Sequence, residues 1–312
     1  MTLVLDAAAV VRLLSRIDTL AEMRALFSRL GEGAAVQPSQ TLTLFPQGGG
    51  DFITYLGAMP ETFGAKLSPY LPREGGPLIT AWTLLMSMQT GEPLLLCDAS
   101  RLTQERTAGT TALAVDLLAP ADAARLAIIG SGAVALAHWR HVAPLRAWTD
   151  VRVFSPGLGG DGPRAAHWRD AGVTLAANAA EAVHDADVVM LCTSSGTPVI
   201  DPALCAPGVL VTSISTNAPD AHEVPPAFLT EAEVYCDYRA TTPATAGEMR
   251  LAARDHGWSA DAVRGDLAEL MTGRAPLPSG TGRTYFRSVG LGLEDIAMAE
   301  ALFRAATEGE KQ

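Results

Sequence analysis

The stretch LAIIGSGAVA, residues 126–135, decides how this chain reads. A short apolar run passes straight into Gly130-Ser131-Gly132-Ala133-Val134-Ala135, and the helix-forming run ALAHWRHVAPL follows. In a dinucleotide-binding turn the first glycine permits the sharp bend, the second lets a pyrophosphate approach the backbone, and the third small residue lets helix and strand pack closely. The N-terminus of the helix then faces the phosphates. A plain glycine-rich turn could share the pattern, but VRVF at 151–154 ends about 25 residues further on, where such a unit needs its next strand.

Working outward, LAIIG (126–130), VRVF (151–154), DVVMLC (187–192) and GVLVTSI (208–214) alternate with Ala-rich helical stretches. Buried parallel strands with crossover helices have this signature. Residues 116–287 are therefore expected to form a Rossmann-type, doubly wound α/β domain. Residues 1–115 read as a smaller α+β domain. Leu20, Met23, Leu26, Phe27 and Leu30 recur at helical spacing, 41–45 and 78–86 suit strands, and FPQGGGD at 45–51 is a turn. The segment 94–118 passes from strand to helix, with Asp98 and Ser100 as candidate caps. A last helix, GLGLEDIAMAEALFRAA, follows a linker at 275–282, and 288–312 is expected to rejoin the first domain.

The length of 312 residues suits two domains, and 48% apolar with 18% charged residues is a globular composition. A net charge of -11 and a pI near 5.0 exclude nucleic-acid or anionic-membrane binding by charge. No run approaches a membrane span and the start lacks a secretory pattern, so a cytoplasmic protein is expected. Cys97, Cys192, Cys205 and Cys236 lie too far apart for a disulfide framework and read as buried thiols. His138 and His141 lack further ligands at metal spacing and read as exposed helix histidines, so no metal is expected. The cations are lopsided: 21 Arg against two Lys, Lys66 and Lys311.

At the end of the second strand, NAD-binding proteins usually place an Asp or Glu against the ribose hydroxyls. This chain has Ser155. Without a carboxylate to repel a 2′-phosphate, the cofactor reads as NAD(P) with NADP favoured, although the nearest following arginine is Arg164. No G-x-x-x-x-G-K-[ST] loop is present, and Thr62 stands four residues before Lys66, so the Tyr-x-x-x-Lys pair of short-chain dehydrogenases is absent.

FGAKLSPYLP (63–72), TGEPLLLCDASRLTQERTAGTTALA (90–114), GSGAVA (130–135), CTSSGTPVI (192–200), ISTNAPDAHEV (214–224) and GRTYFRSVGLGLEDIAMA (282–299) together resemble the ornithine cyclodeaminase/μ-crystallin family. The resemblance implies a homodimer in which the α+β part carries substrate and dimer contacts beside a Rossmann domain. It assigns Lys66 to a hydrogen bond near the reacting carbon of the substrate and Arg106 to its α-carboxylate. On the residues alone, Lys66 reads as a solvated lysine and Arg106 as a helix-surface charge. It further implies that Thr80, Ala133, Val134, Thr193 and Ser288 line the cofactor, with Val289 beside the substrate.

Two departures stand out. Substrate-binding members often have Pro-x-Arg-Thr where this chain has Pro38-Ser39-Gln40-Thr41, which removes a second cation from the carboxylate site. The ornithine-cyclising enzymes carry an aspartate where this chain has Asn217, and an amide cannot titrate. Hydride transfer suffers less. The leading expectation is an NAD(P)-dependent oxidoreductase acting on a small α-imino or α-amino acid. The alternatives are ornithine cyclodeaminase, releasing ammonia with recycled NAD, and a non-catalytic, crystallin-like NADP-binding protein.

Overall fold

In the computed structural model, which describes residues 2–160, 162–216, 218 and 220–308, the run at 125–129 becomes the centre of a parallel sheet. The chain divides into two compact units, Met1–Arg106 with Gly290–Gln312, and Thr107–Val289. The division falls inside one continuous helix, earlier than the 115/116 break read from the sequence.

In the first unit, β1 (Leu3–Leu5) leads to α1 (Ala7–Leu14) and α2 (Thr19–Gly31). Asp6 and Asp18 cap these helices by accepting from Ala9 N and Ala21 N, satisfying donors that a helix start leaves open. A mixed sheet follows: β2 (Thr41–Leu44), β3 (Asp51–Ala58), β4 (Thr62–Leu71), β5 (Leu78–Ile79), β6 (Trp82–Ser87) and β7 (Pro93–Asp98), in the order β1-β7-β6-β4-β3-β2 with β5 on β4. The long hairpin β3–β4 went unread in the sequence because its glycines and polar residues break the apolar alternation. The single strand expected at 78–86 is two strands, interrupted at Thr80 and Ala81, where Ala81 O accepts from Ala99 N. Helix α3 (Ser100–Leu118) starts where Asp98 Oδ1 accepts from Ser100 N.

One face of this sheet packs on α10 (Gly292–Glu308), which runs against β3, β4 and β6. Period-2 alternation puts Tyr55, Lys66, Thr83 and Cys97 on that buried face, opposite one another along the ladder. The other face carries the cross-strand row Leu56, Ala65, Leu84, Leu96 and Val4, with Leu67 beside Trp82. Val4, Leu56, Leu67, Trp82, Leu84 and Leu96 are exposed there.

The second unit contains β8 (Arg125–Ile129), α4 (Ala133–Val142), β9 (Asp150–Phe154), α5 (Pro163–Asp170), β10 (Thr174–Leu175), α6 (Ala179–Val183), β11 (Val188–Leu191), β12 (Leu210–Ser213), β13 (Glu233–Cys236), α7 (Thr242–Thr245), α8 (Gly247–Asp255), β14 (Val263–Asp266), α9 (Leu267–Met271) and β15 (Thr284–Arg287). Its sheet is parallel throughout, in the order β10-β9-β8-β11-β12-β15-β13-β14. The chain leaves β8 first to one side and then to the other, the reversal that opens a crevice beyond the strand ends. Ile129, Val189, Leu191, Val209, Val211 and Phe228 build the core beneath it.

All four cysteines are buried and free. His138 is not the exposed histidine expected: it is wholly buried, with its ring nitrogens at 2.8 Å from Val134 O and 3.0 Å from Thr111 Oγ1. Helical spacing places it on the inner face of α4. None of the described helices is long and apolar enough to cross a membrane.

Candidate active site

The crevice of the second unit is a cavity of about 870 Å³. Gly130, Ser131, Gly132, Ala133 and Val134 form one wall, Phe154, Ser155, Pro156 and Arg164 another, and Cys192, Thr193, Ser194, Ser195, Ile214, Ser215 and Thr216 a third. Six residues expected at the cofactor, Gly130, Gly132, Ala133, Val134, Ser155 and Thr193, thus lie around one cavity. Gly130 is irreplaceable on two counts: its φ is +115°, and a Cβ there would lie 2.3 Å from Cys192 O. A Cβ on Gly132 would instead meet open space, so a ligand can approach the backbone there. The residues fit a dinucleotide: close backbone at the turn, the N-terminus of α4 behind it, and no carboxylate at Ser155. Arg164 makes no ion pair among the described residues. Burial pushes the Cys192 thiol well above its usual range, so it stands in the wall as a neutral group.

Buried carboxylates that sequence reasoning missed support this unit. Glu223, wholly buried, accepts from Thr193 and Ser215 at the cavity edge. Asp237, also wholly buried, accepts from Ser288 Oγ at 3.1 Å and Val289 N at 2.7 Å. Ser288 is buried but does not line the cavity, and Val289 is half-buried. Asn217 lies outside the described residues.

In the first unit, Lys66 and Arg106 come together on two adjacent acids of α10. Lys66 is 1% exposed and Arg106 4%, so neither is the surface charge that its sequence surroundings suggest. Lys66 Nζ is 2.8 Å from Asp295 Oδ2, donates to Thr103 Oγ1 at 3.3 Å, and sits 4.0 Å above the Tyr55 ring. Arg106 donates through Nε to Asp295 Oδ1 at 3.2 Å and through Nη1 to Glu294 Oε2 at 2.8 Å. Its Nη2 makes no hydrogen bond among the described residues. Two cations and two anions balance, which makes their burial tolerable. Desolvation pulls Lys66 down to about 8, with Arg106 adding to the fall and Asp295 opposing it. Burial also works against the charge on Arg106, but Asp295 and Glu294 outweigh it and hold the guanidinium fully protonated.

Gly290 joins this group to Gln40. Its φ of +78° and a virtual Cβ only 2.2 Å from Arg106 Nη1 leave room for glycine alone. The Gln40 side-chain amide donates to Gly290 O. Position 40 is therefore next to Arg106 through one residue, although 66 positions separate them in the chain. Thr80 lies in this unit, in the gap between β5 and β6, half-buried. The sequence flagged Lys66 and Arg106 only through resemblance. Their acidic partners, Glu294 and Asp295, sit in the first turn of α10 and are wholly buried there, which their spacing in the sequence does not reveal.

The model of the ornithine cyclodeaminase/mu-crystallin family matches residues 1–310. The NAD(P)H-dependent anabolic L-arginine dehydrogenase of Pseudomonas aeruginosa is 56% identical over 309 residues, covering 98% of each chain. Among solved structures, a probable ornithine cyclodeaminase from Bordetella pertussis has a TM-score of 0.89 at 29% identity, covering 100% of this chain and 99% of its own. An archaeal alanine dehydrogenase dimer with bound NAD has a TM-score of 0.91 at 23% identity, covering 99% and 97%.

Proposed function

The chain belongs to the ornithine cyclodeaminase/mu-crystallin family, and from that premise we propose that it is an NAD(P)-dependent oxidoreductase that interconverts an α-amino acid and its α-imino acid. The observation that carries this reading is the buried Lys66–Asp295–Arg106 group, a proton donor and a carboxylate-binding fork held rigidly together.

When bound, the nicotinamide cofactor supplies or accepts the hydride at the substrate carbon. In the reductive direction the imine nitrogen must gain a proton as the carbon gains that hydride. The Lys66 ammonium gives the proton and is left neutral, a change made easy by a pKa near 8. Asp295 orients the ammonium, and Arg106 donates to the α-carboxylate through Nη2, the nitrogen that its own acids leave open. Gln40 adds a neutral donor where relatives with Pro-x-Arg-Thr have a cation.

Arginine and its imino acid are the first substrate pair to test, since the Pseudomonas relative acts on L-arginine. NADP is favoured by Ser155, with Arg164 on the same wall as a partner for a 2′-phosphate. The bare apolar sheet face of the first unit supports a homodimer, as does the dimeric alanine dehydrogenase. Four buried free thiols suit a reducing, cytoplasmic setting.

The deciding experiment follows NADPH and NADH absorbance with a panel of 2-oxo acids and ammonium, including the guanidino acid, and the reverse with the amino acids. Cofactor oxidation lost in Lys66→Ala is expected. Turnover of ornithine to proline with no net cofactor change would overturn the reading in favour of the lyase.

A further inference from the structure

The carboxylate of Glu223 is wholly buried and forms no ion pair among the described residues, yet four donors converge on it. Oε1 accepts from Thr193 N at 2.9 Å and Thr193 Oγ1 at 2.6 Å. Oε2 accepts from Ser213 Oγ at 2.7 Å and Ser215 N at 2.9 Å. One side chain thus ties together the two segments that leave the ends of β11 and β12. Ser215 is held at a φ of +43°, a left-handed conformation that a non-glycine residue keeps only when its surroundings impose it. Behind Ser213, Arg287 Nη1 donates to the same hydroxyl at 3.2 Å while its Nε lies 3.2 Å from Glu248, so the brace is anchored in the core.

The Thr193 hydroxyl has its one proton committed. It donates to Glu223 and accepts from Ser195 N at 3.0 Å. What this wall offers a ligand is the shape of its backbone, which Glu223 fixes. Strands β11 and β12 lie on the opposite side of β8 from β9 and Ser155. With the pyrophosphate at the turn 130–134 and the adenosine over the end of β9, the other half of a dinucleotide meets the segments braced by Glu223.

We propose that Glu223 is the positioning residue for the nicotinamide half of the cofactor, an assignment that rests on the reading of this cavity as an NAD(P)H site. A glutamine there keeps the size but offers a single acceptor oxygen, and its amide group would face two donors.

The test uses the full chain as wild type, Glu223→Gln and Thr193→Val. Each is titrated with whichever of NADPH and NADH the wild type binds more tightly, read by reduced-nicotinamide fluorescence, and with ADP, read by calorimetry. Glu223→Gln is expected to weaken the reduced cofactor about tenfold or more while ADP stays within about twofold, and Thr193→Val to do the same by about threefold. Equal weakening of cofactor and ADP, or an unchanged cofactor affinity in the folded variants, overturns the assignment. Should Glu223→Gln fail to fold, Thr193→Val alone decides. A wild type that binds neither NADPH nor NADH sinks the underlying reading as well.

Discussion

The two units hold their functional groups by opposite means. The cavity of the second unit is lined largely by glycine, alanine, serine and threonine, with Arg164 as its one charged side chain among the described residues, and it offers backbone amides at the end of a parallel sheet. The first unit gathers four full charges, Lys66, Arg106, Glu294 and Asp295, into a space closed to solvent. A site made of backbone tolerates changes of side chain but no added atom at its turn. A site made of balanced charges tolerates small changes of shape but no change of valence.

Lys66→Ala should break the charged site most severely, lowering turnover by about 10²–10⁴-fold while cofactor titrations stay at wild-type affinity. Lys66→Arg should lose nearly as much, because a guanidinium keeps the charge but does not give up its proton. Wild-type rates in that variant would show that proton donation is not the role of Lys66.

Gly130→Ala should break the backbone site, weakening NAD(P)H more than about tenfold and lowering stability by about 1–3 kcal/mol, read by calorimetry and urea unfolding. Gly132→Ala, whose new methyl group meets open space, should weaken the cofactor without the loss of stability. If both variants lose stability equally, the distinction between the two glycines is wrong.

The pH profile sharpens the contrast, since only the charged site titrates near neutrality. Reductive kcat/KM should fall as pH rises through about 8, where Lys66 loses its proton, and the oxidative direction should rise over the same range. The sign for stability follows from the same shift. Between about 8 and 10.5 the unfolded chain binds the lysine proton that the folded chain has released, so the penalty of burying Lys66 is relieved as pH rises through that window. Urea unfolding of wild type against Lys66→Met between pH 7 and 10 measures it.

The smallest effect expected is in cofactor choice. Ser155→Asp should move preference toward NADH by about tenfold, and Arg164→Ala should weaken NADPH by a lesser factor without touching NADH. Unchanged ratios of kcat/KM would remove Ser155 and Arg164 from the ribose end.

This contrast also explains what could be read in advance. The turn at 130–135 and the strands at 126–130, 151–154, 187–192 and 208–214 are local patterns, and each is found in the sheet where expected. The hairpin β3–β4 was invisible because its buried face carries Lys66 and its outward face carries leucines, the reverse of an ordinary half-solvated strand. His138 was misread because helical spacing alone does not say which face is covered. Lys66 and Arg106 were identified through resemblance and not from their spacing, since their partners lie roughly 190 to 230 positions away and a linear pattern carries no sign of such pairing. Glu223 and Asp237 were missed for the same reason: a buried carboxylate looks like any surface acid until its donors are in place.

Lys66 is the single lysine among the described residues, and it is shut under α10. The amine proposed above as the proton donor is therefore also a built-in reporter of breathing. An acylating reagent reaches Lys66 only when β4 and α10 part, so its rate of modification, compared with that of a free lysine derivative in the same solution, times the opening of the first unit. A bound amino acid that rests on Arg106 and Lys66 should slow that clock, giving a readout of substrate occupancy that needs neither turnover nor cofactor.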